Sequence, residues 1–152
     1  VPSAGGTWPA FWLLPTQSVY GGWPDSGEID IMEYTGCSPE NIVTTIHCEA
    51  FSGEDGISAE TNTTGINDYI NDGFNIYSIE WDEESIKWFI NNQQVHSYDS
   101  TEEVDTWPFN EYFHLILNLA IGGDFANCSI DYDAFFIGEK LEIDFIRVYK
   151  NK

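Results

Sequence analysis

The sequence predicts an all-β sandwich of two antiparallel sheets. Short runs rich in β-branched and aromatic residues recur from Thr7 to Tyr149. Gly, Pro, Asn and Asp punctuate them, and almost nothing repeats its apolar residues at helical spacing. With 152 residues the chain is long enough for one domain with a real core. Residues 1–152 read as one unit, without an internal repeat, low-complexity run or linker.

Thr7 to Leu14 reads as a strand with Trp8, Ala10 and Trp12 on one face and Phe11 and Leu13 on the other. Pro9 has no N–H to give a neighbour, which suggests an edge position or an irregularity. Pro15 to Ser26 is a turn-rich loop, and Gly27 to Tyr34 is an acidic strand. Ile42 to Cys48 is short and β-branched, an antiparallel neighbour for it. Glu49 to Gly73 is polar and rich in Gly and Asn, and reads as a long surface loop. Phe74 to Trp81, Ser85 to Ile90 and Gln94 to Tyr98 follow as strands. Asp82 to Glu84 makes a tight link, and Asn91-Asn92 suits the positive φ of a hairpin turn. Asp99 to Asn110 is expected to hold a helical turn. Tyr112 to Ala120 is a strongly apolar strand ending at Gly122-Gly123. A loop from Asp124 to Gly138 then leads to a last strand, Leu141 to Tyr149.

The acidic strand carries the chemistry. Side chains alternate along a strand, so Glu28 and Asp30 share a face and Met32 comes next on it. Glu33 points the other way unless one residue is inserted. A β-bulge around Ile31-Met32 does this and brings Glu28, Asp30 and Glu33 to one face. Two glutamates about 5–5.5 Å apart, with an acid between them, suit a retaining glycoside hydrolase. Alternating acids also make an ordinary solvated face, and the run alone favours that plainer reading.

Composition narrows the partners. Five basic residues against 26 acidic ones give a formal charge of −21. That surface repels nucleic acid and anionic membranes. The only arginine is Arg147, which argues against a sulfated polysaccharide and for a neutral glycan. Six Trp, eight Tyr and ten Phe exceed what a core of this size needs and suit a groove that stacks on sugar rings. Cys37, Cys48 and Cys128 are too few for a disulfide-built scaffold, and the odd count leaves a free thiol or an outside partner. Asn62-Thr63-Thr64 and Asn127-Cys128-Ser129 match the N-glycosylation pattern. No signal-peptide pattern stands at the start, and no apolar run is long enough to cross a bilayer as a helix.

Taken in order, several stretches resemble glycoside hydrolase family 16, and within it the endo-β-1,3-glucanases called laminarinases. They are Gly6 to Pro15 (GTWPAFWLLP), Gly21 to Tyr34 (GGWPDSGEIDIMEY), Thr45 to His47, and the hairpins from Phe74 to Tyr98. Leu115 to Gly123 (LILNLAIGG) and Ile143 to Tyr149 (IDFIRVY) complete the match. The resemblance implies a β-jelly-roll with a concave cleft for a polysaccharide. It implies Glu28 as nucleophile, Glu33 as general acid/base, and Asp30 between them. Asp30 is expected to hold up the pKa of Glu33 by its charge and to orient Glu28 by a hydrogen bond. Trp8, Trp12 and Trp23 flank the acidic strand as candidate sugar platforms, each with core packing as the alternative. His47 is expected to meet Asp30 or substrate. Asn118, an amide inside an apolar strand, needs a partner if buried and by the resemblance faces the cleft. Cys48 stands where many relatives carry Trp.

The same resemblance implies strands before Gly6, so the chain is expected to be N-terminally truncated relative to the family. It implies no cofactor for the reaction, and a structural calcium with Asp144 as a ligand, with an ordinary strand-face carboxylate as the alternative. The expected protein is a secreted monomer that cleaves β-1,3-glucan or mixed-linkage β-1,3/1,4-glucan. The alternatives are a glycan-binding remnant, or a relative acting on agar or as a transglycosylase.

Overall fold

The computed structural model describes residues 1–65 and 73–150 and has two antiparallel sheets facing each other. The strands are β1 (Thr7–Pro15), β2 (Glu28–Tyr34), β3 (Asn41–His47), β4 (Ile57–Asn62), β5 (Tyr77–Trp81), β6 (Ser85–Ile90), β7 (Gln93–Asp99) and β8 (Phe113–Ile121). One sheet runs β4-β3-β2-β1-β8 and the other β5-β6-β7. The strand that carries the acids is therefore the centre of the larger sheet.

Apolar alternation explains which face each strand buries. Leu13, Ile29 and Ile46 of the large sheet pack on Ile86 and Trp88 of the small one, with Trp107 and Phe109 closing the end. Met32, Tyr34, Ile42 and Ile90 form a neighbouring cluster. Burying each such side chain contributes roughly 1.5–3 kcal/mol. The polar partners of the strands are left on the opposite face. Asn91 and Asn92 have φ of 49° and 67°, the positive values that the β6–β7 hairpin requires.

Several expectations need correction. Residues 57–62 are a strand, not loop: they alternate, with Ile57 and Ala59 as the only apolar members, and β3 offers an open edge that pairs Val43 with Glu60 and Thr45 with Ser58. Residues 66–72 of that predicted loop lie outside the described residues. Pro9 is not on an edge strand, because β1 lies between β2 and β8. It is tolerated because β1–β2 pairing starts at Ala10, just beyond it. The predicted 124–138 loop contains a short helix, α1 (Tyr132–Ile137), whose N-cap Asp131 accepts from the Ala134 amide. The helical turn expected within 99–110 is present, closed by the Trp107 N–H on the Glu103 carbonyl. Leu141 to Tyr149 is not a strand. An alternating pattern supplies an apolar face but no neighbour, and no described strand pairs with this segment. Its Val148 and Tyr149 are each 82% exposed.

Cys37 and Cys128 form a disulfide across 91 residues, tying the β2–β3 turn to the segment after β8. Cys48 is the free thiol and is buried. Among the described residues no helix is long and apolar enough to cross a membrane.

Candidate active site

The bulge lies in the middle of β2. Toward β3, Asp30 pairs with Thr45 and Glu33 with Val43, so Ile31 and Met32 together oppose Thr44. Toward β1, Phe11 pairs with Met32 and Trp12 with Asp30, so Ile31 is the inserted residue. Val43, Thr45 and His47 share one face of β3 by simple alternation. Their partners Glu33, Asp30 and Glu28 therefore share that face too. It is the face turned away from the small sheet, since Ile29, Ile31 and Ile46 pack the other way.

Each outer carboxylate receives an indole N–H. Trp23 Nε1 donates to Glu28 Oε2 at 2.6 Å, and Trp8 Nε1 donates to Glu33 Oε1 at 3.1 Å. Glu33 also accepts from the Thr45 hydroxyl, which in turn contacts Ser58 Oγ at 3.0 Å. His47 Nε2 lies 3.4 Å from Asp30 Oδ2 and 3.9 Å from Glu28 Oε1. Gly56 admits the imidazole: a Cβ there would sit 2.7 Å from the ring. Trp12 Nε1 donates to Asn118 Oδ1 at 2.7 Å.

Burial sets the proton affinities. Glu28 is raised to about 7, first by desolvation and then by the charge of Asp30, against the pull of His47 and Trp23. Asp30 is almost fully buried and is raised well above the usual carboxylate range, by desolvation first and then by Glu33. A hydrogen bond between the two carboxyls raises Glu28 and lowers Asp30. Glu33 is raised by desolvation, with Trp8 and His47 opposing and the charge of Glu28 adding to the rise. The expected cause of the Glu33 shift is thus corrected. Burial and the charge of Glu28 hold it up, and the repulsion between Glu33 and Asp30 falls on Asp30.

The predicted residues divide cleanly. Glu28, Asp30, Glu33, His47, Trp8 and Trp23 form one hydrogen-bonded and ion-paired cluster. Trp12 and Asn118 sit beside it on the same face, since Trp12 pairs with Asp30 and Asn118 with Ala10. Asn118 is exposed, contrary to the buried-amide argument: β8 is an edge strand and its outer face is open. Asp144 is far from fitting a calcium site. It is exposed in the unpaired 139–150 segment, and among the described residues no group of His, Cys, Asp or Glu gathers around it. Calcium takes six to eight oxygens.

Sequence reasoning missed Thr45 and Phe125. Thr45 was findable, two residues before His47 and so on its face. Phe125, tilted against Trp8 at 5.2 Å, comes from a loop with no local signal. A groove of about 180 Å³ is lined by Asn41, Val43, Glu60 and Phe125 among others, and Val43 is the β3 partner of Glu33.

Residues 1–137 match the family described as "Glycosyl hydrolases family 16". The chain belongs to that family. It is 36% identical to the "Beta-glucanase" of Rhodothermus marinus over 163 residues, covering 99% of this chain and 54% of that protein. Against the "Glucan endo-1,3-beta-glucosidase" of Cryptopygus antarcticus identity is 37% over 135 residues, covering 82% and 48%. The solved laminarinase of Rhodothermus marinus superposes with a TM-score of 0.81 at 34% identity, over 89% of this chain and 57% of that one. The laminarinase of Flavobacterium sp. UMI-01 gives 0.81 at 36%, with the same coverage. This family 16 chain spans about half of each of these relatives.

Proposed function

We propose that the chain is the catalytic face of a retaining endo-glycosidase acting on β-1,3-glucans, including mixed-linkage ones. The observation that carries this reading is the bulge, which sets Glu28 and Glu33 on one face with buried Asp30 between them. Relatives named as glucan endo-1,3-beta-glucosidases and 1,3-1,4-beta-glycanases support the substrate class.

Each group has a role that its environment suits. The hydrogen bond between the two carboxyls favours the proton on Glu28 and the charge on Asp30. Once ionised, Glu28 is oriented by the Trp23 N–H and attacks the anomeric carbon. Glu33, held partly protonated by burial, protonates the departing glycosidic oxygen. After the glycosyl-enzyme forms, the Glu33 carboxylate takes a proton from water as that water attacks the same carbon, and the configuration is retained. His47 faces both acids through Nε2. Trp23, 58% exposed, and Trp12 offer ring faces for glucose. No step needs a metal or cofactor. The disulfide supports a secreted protein, since such bonds persist in oxidising compartments.

A second reading, glycan binding without turnover, is favoured by one relative, the "Beta-1,3-glucan-binding protein" of Penaeus monodon, to which the chain is 27% identical over 154 residues. Reducing-sugar release from laminarin separates the two. Release by the parent, abolished in both Glu28→Gln and Glu33→Gln, supports hydrolysis and assigns the carboxylates. Laminarin binding with no release would leave a binding protein.

A further inference from the structure

The face that carries the acids depends on the bulge, and the bulge is held from behind. The Asp30 carbonyl accepts from Trp88 Nε1 at 2.8 Å, a buried bond between β2 and β6. Strand carbonyls normally point sideways into their own sheet. This one is reached from the opposite sheet, because the inserted residue disrupts the ladder at that point. Trp88 is 0% exposed and has little freedom to move.

Trp88 is itself braced. His96 of β7 pairs directly with it and stacks on its ring at 4.6 Å and 22°. His96 Nδ1 lies 3.0 Å from Thr44 Oγ1. Thr44 is the residue that faces the bulge on β3. A closed circuit results: bulge carbonyl on β2, indole on β6, imidazole on β7, hydroxyl on β3. A second irregularity completes it. Trp88 pairs with His96 but Phe89 with Gln94, so Val95 is an inserted residue in β7. Val95 packs against both core clusters. The two sheets carry inserted residues on strands joined by the same indole and imidazole.

The consequence follows from strand geometry. Without its inserted residue, β2 alternates strictly, and Glu33 turns from the open face toward the core. We propose that Trp88, backed by His96 and Thr44, is a positioning residue that pins the β2 bulge and so keeps Glu33 on the face of Glu28 and Asp30. The proposal rests on reading those carboxylates as the reacting set, but it acts on their geometry and can be tested without turnover.

The experiment compares three versions of the full chain: Trp88→Phe, benzothienylalanine at position 88, and Trp81→Phe. Benzothienylalanine keeps the bicyclic shape and lacks the N–H. Trp81 Nε1 also donates to a core carbonyl, that of Phe109 at 3.1 Å, away from the bulge. Two readouts are taken: titration of Glu28, Asp30 and Glu33 by carboxyl carbon NMR, and kcat and KM on laminarin. Loss of the N–H at position 88 is expected to shift the titration of Glu33 and to lower kcat by on the order of a hundredfold, as a displacement near 1 Å can, with KM nearly constant. Trp81→Phe is expected to lower the melting temperature while leaving titrations and kcat at parental values. Where Trp88→Phe does not fold, the isostere carries the test. Parental titrations in the benzothienylalanine protein would overturn the proposal, leaving Trp88 a packing residue. If the parent itself releases no sugar, the functional reading fails, and the titrations still decide the clamp.

Discussion

Replacing Glu28 by Gln is expected to make the protein more stable at neutral and alkaline pH, although it removes the proposed nucleophile. Burial and the neighbouring Asp30 raise Glu28 from 4.5 to about 7. Below the unfolded value near 4.5, folded and unfolded states are both protonated, and there is no penalty. As pH rises toward 7, the unfolded chain ionises freely while the folded site resists. Stability is lost through that window. At about 1.36 kcal/mol per pH unit, the loss amounts to roughly 3 kcal/mol above pH 7. Glutamine carries no charge at any pH, and its carbonyl can still accept from Trp23. Urea unfolding of parent and variant from pH 4 to pH 8.5 measures the difference directly. We expect equal stabilities near pH 4 and an advantage of about 2–4 kcal/mol for the variant at pH 8, roughly 5–15 °C in Tm. A constant difference across that range, or one that shrinks as pH rises, would refute the placement of Glu28 in a desolvated, acid-crowded site.

Trp8→Phe keeps a ring against Phe125 but removes the N–H that favours ionised Glu33. The alkaline limb of kcat/KM on laminarin should move up by about one pH unit, the worth of a charge-assisted hydrogen bond; an unmoved limb would remove Glu33 as the general acid. Reducing the Cys37–Cys128 bond frees a long loop in the unfolded chain, and scanning calorimetry with and without reductant should show about 2–5 kcal/mol of lost stability. Gly27 has φ of 88°, and a Cβ there would lie 2.9 Å from Phe109 Cε1. Gly27→Ala should therefore cost about 1–3 kcal/mol in urea unfolding, and because it shifts the chain beside Glu28, laminarin hydrolysis should fall with it.

Much of this protein could be read from residue order because the deciding interactions are local. Alternation put Trp8 and Trp12 on one face of β1 and Leu13 on the other. Asn91-Asn92 marked its hairpin, since few other pairs accept positive φ twice. The bulge was legible because three acids and an apolar run cannot all be satisfied by strict period two. The residues that sequence reasoning misplaced all depend on what another part of the chain supplies. Strand β4 exists because β3 has an open edge, whereas 141–149 has the better pattern and no described neighbour. Asn118 is exposed because β8 ends its sheet. The partner of Cys37 lies 91 residues away, and the cause of the Glu33 shift is desolvation, which accrues only when sheets and loops close around it. Sequence by itself determined which side chains share a face of each strand, since that follows from residue type and period. Only the tertiary structure decided how buried those groups are and what holds the bulge in place, because burial and the Trp88 clamp come from residues distant in the chain.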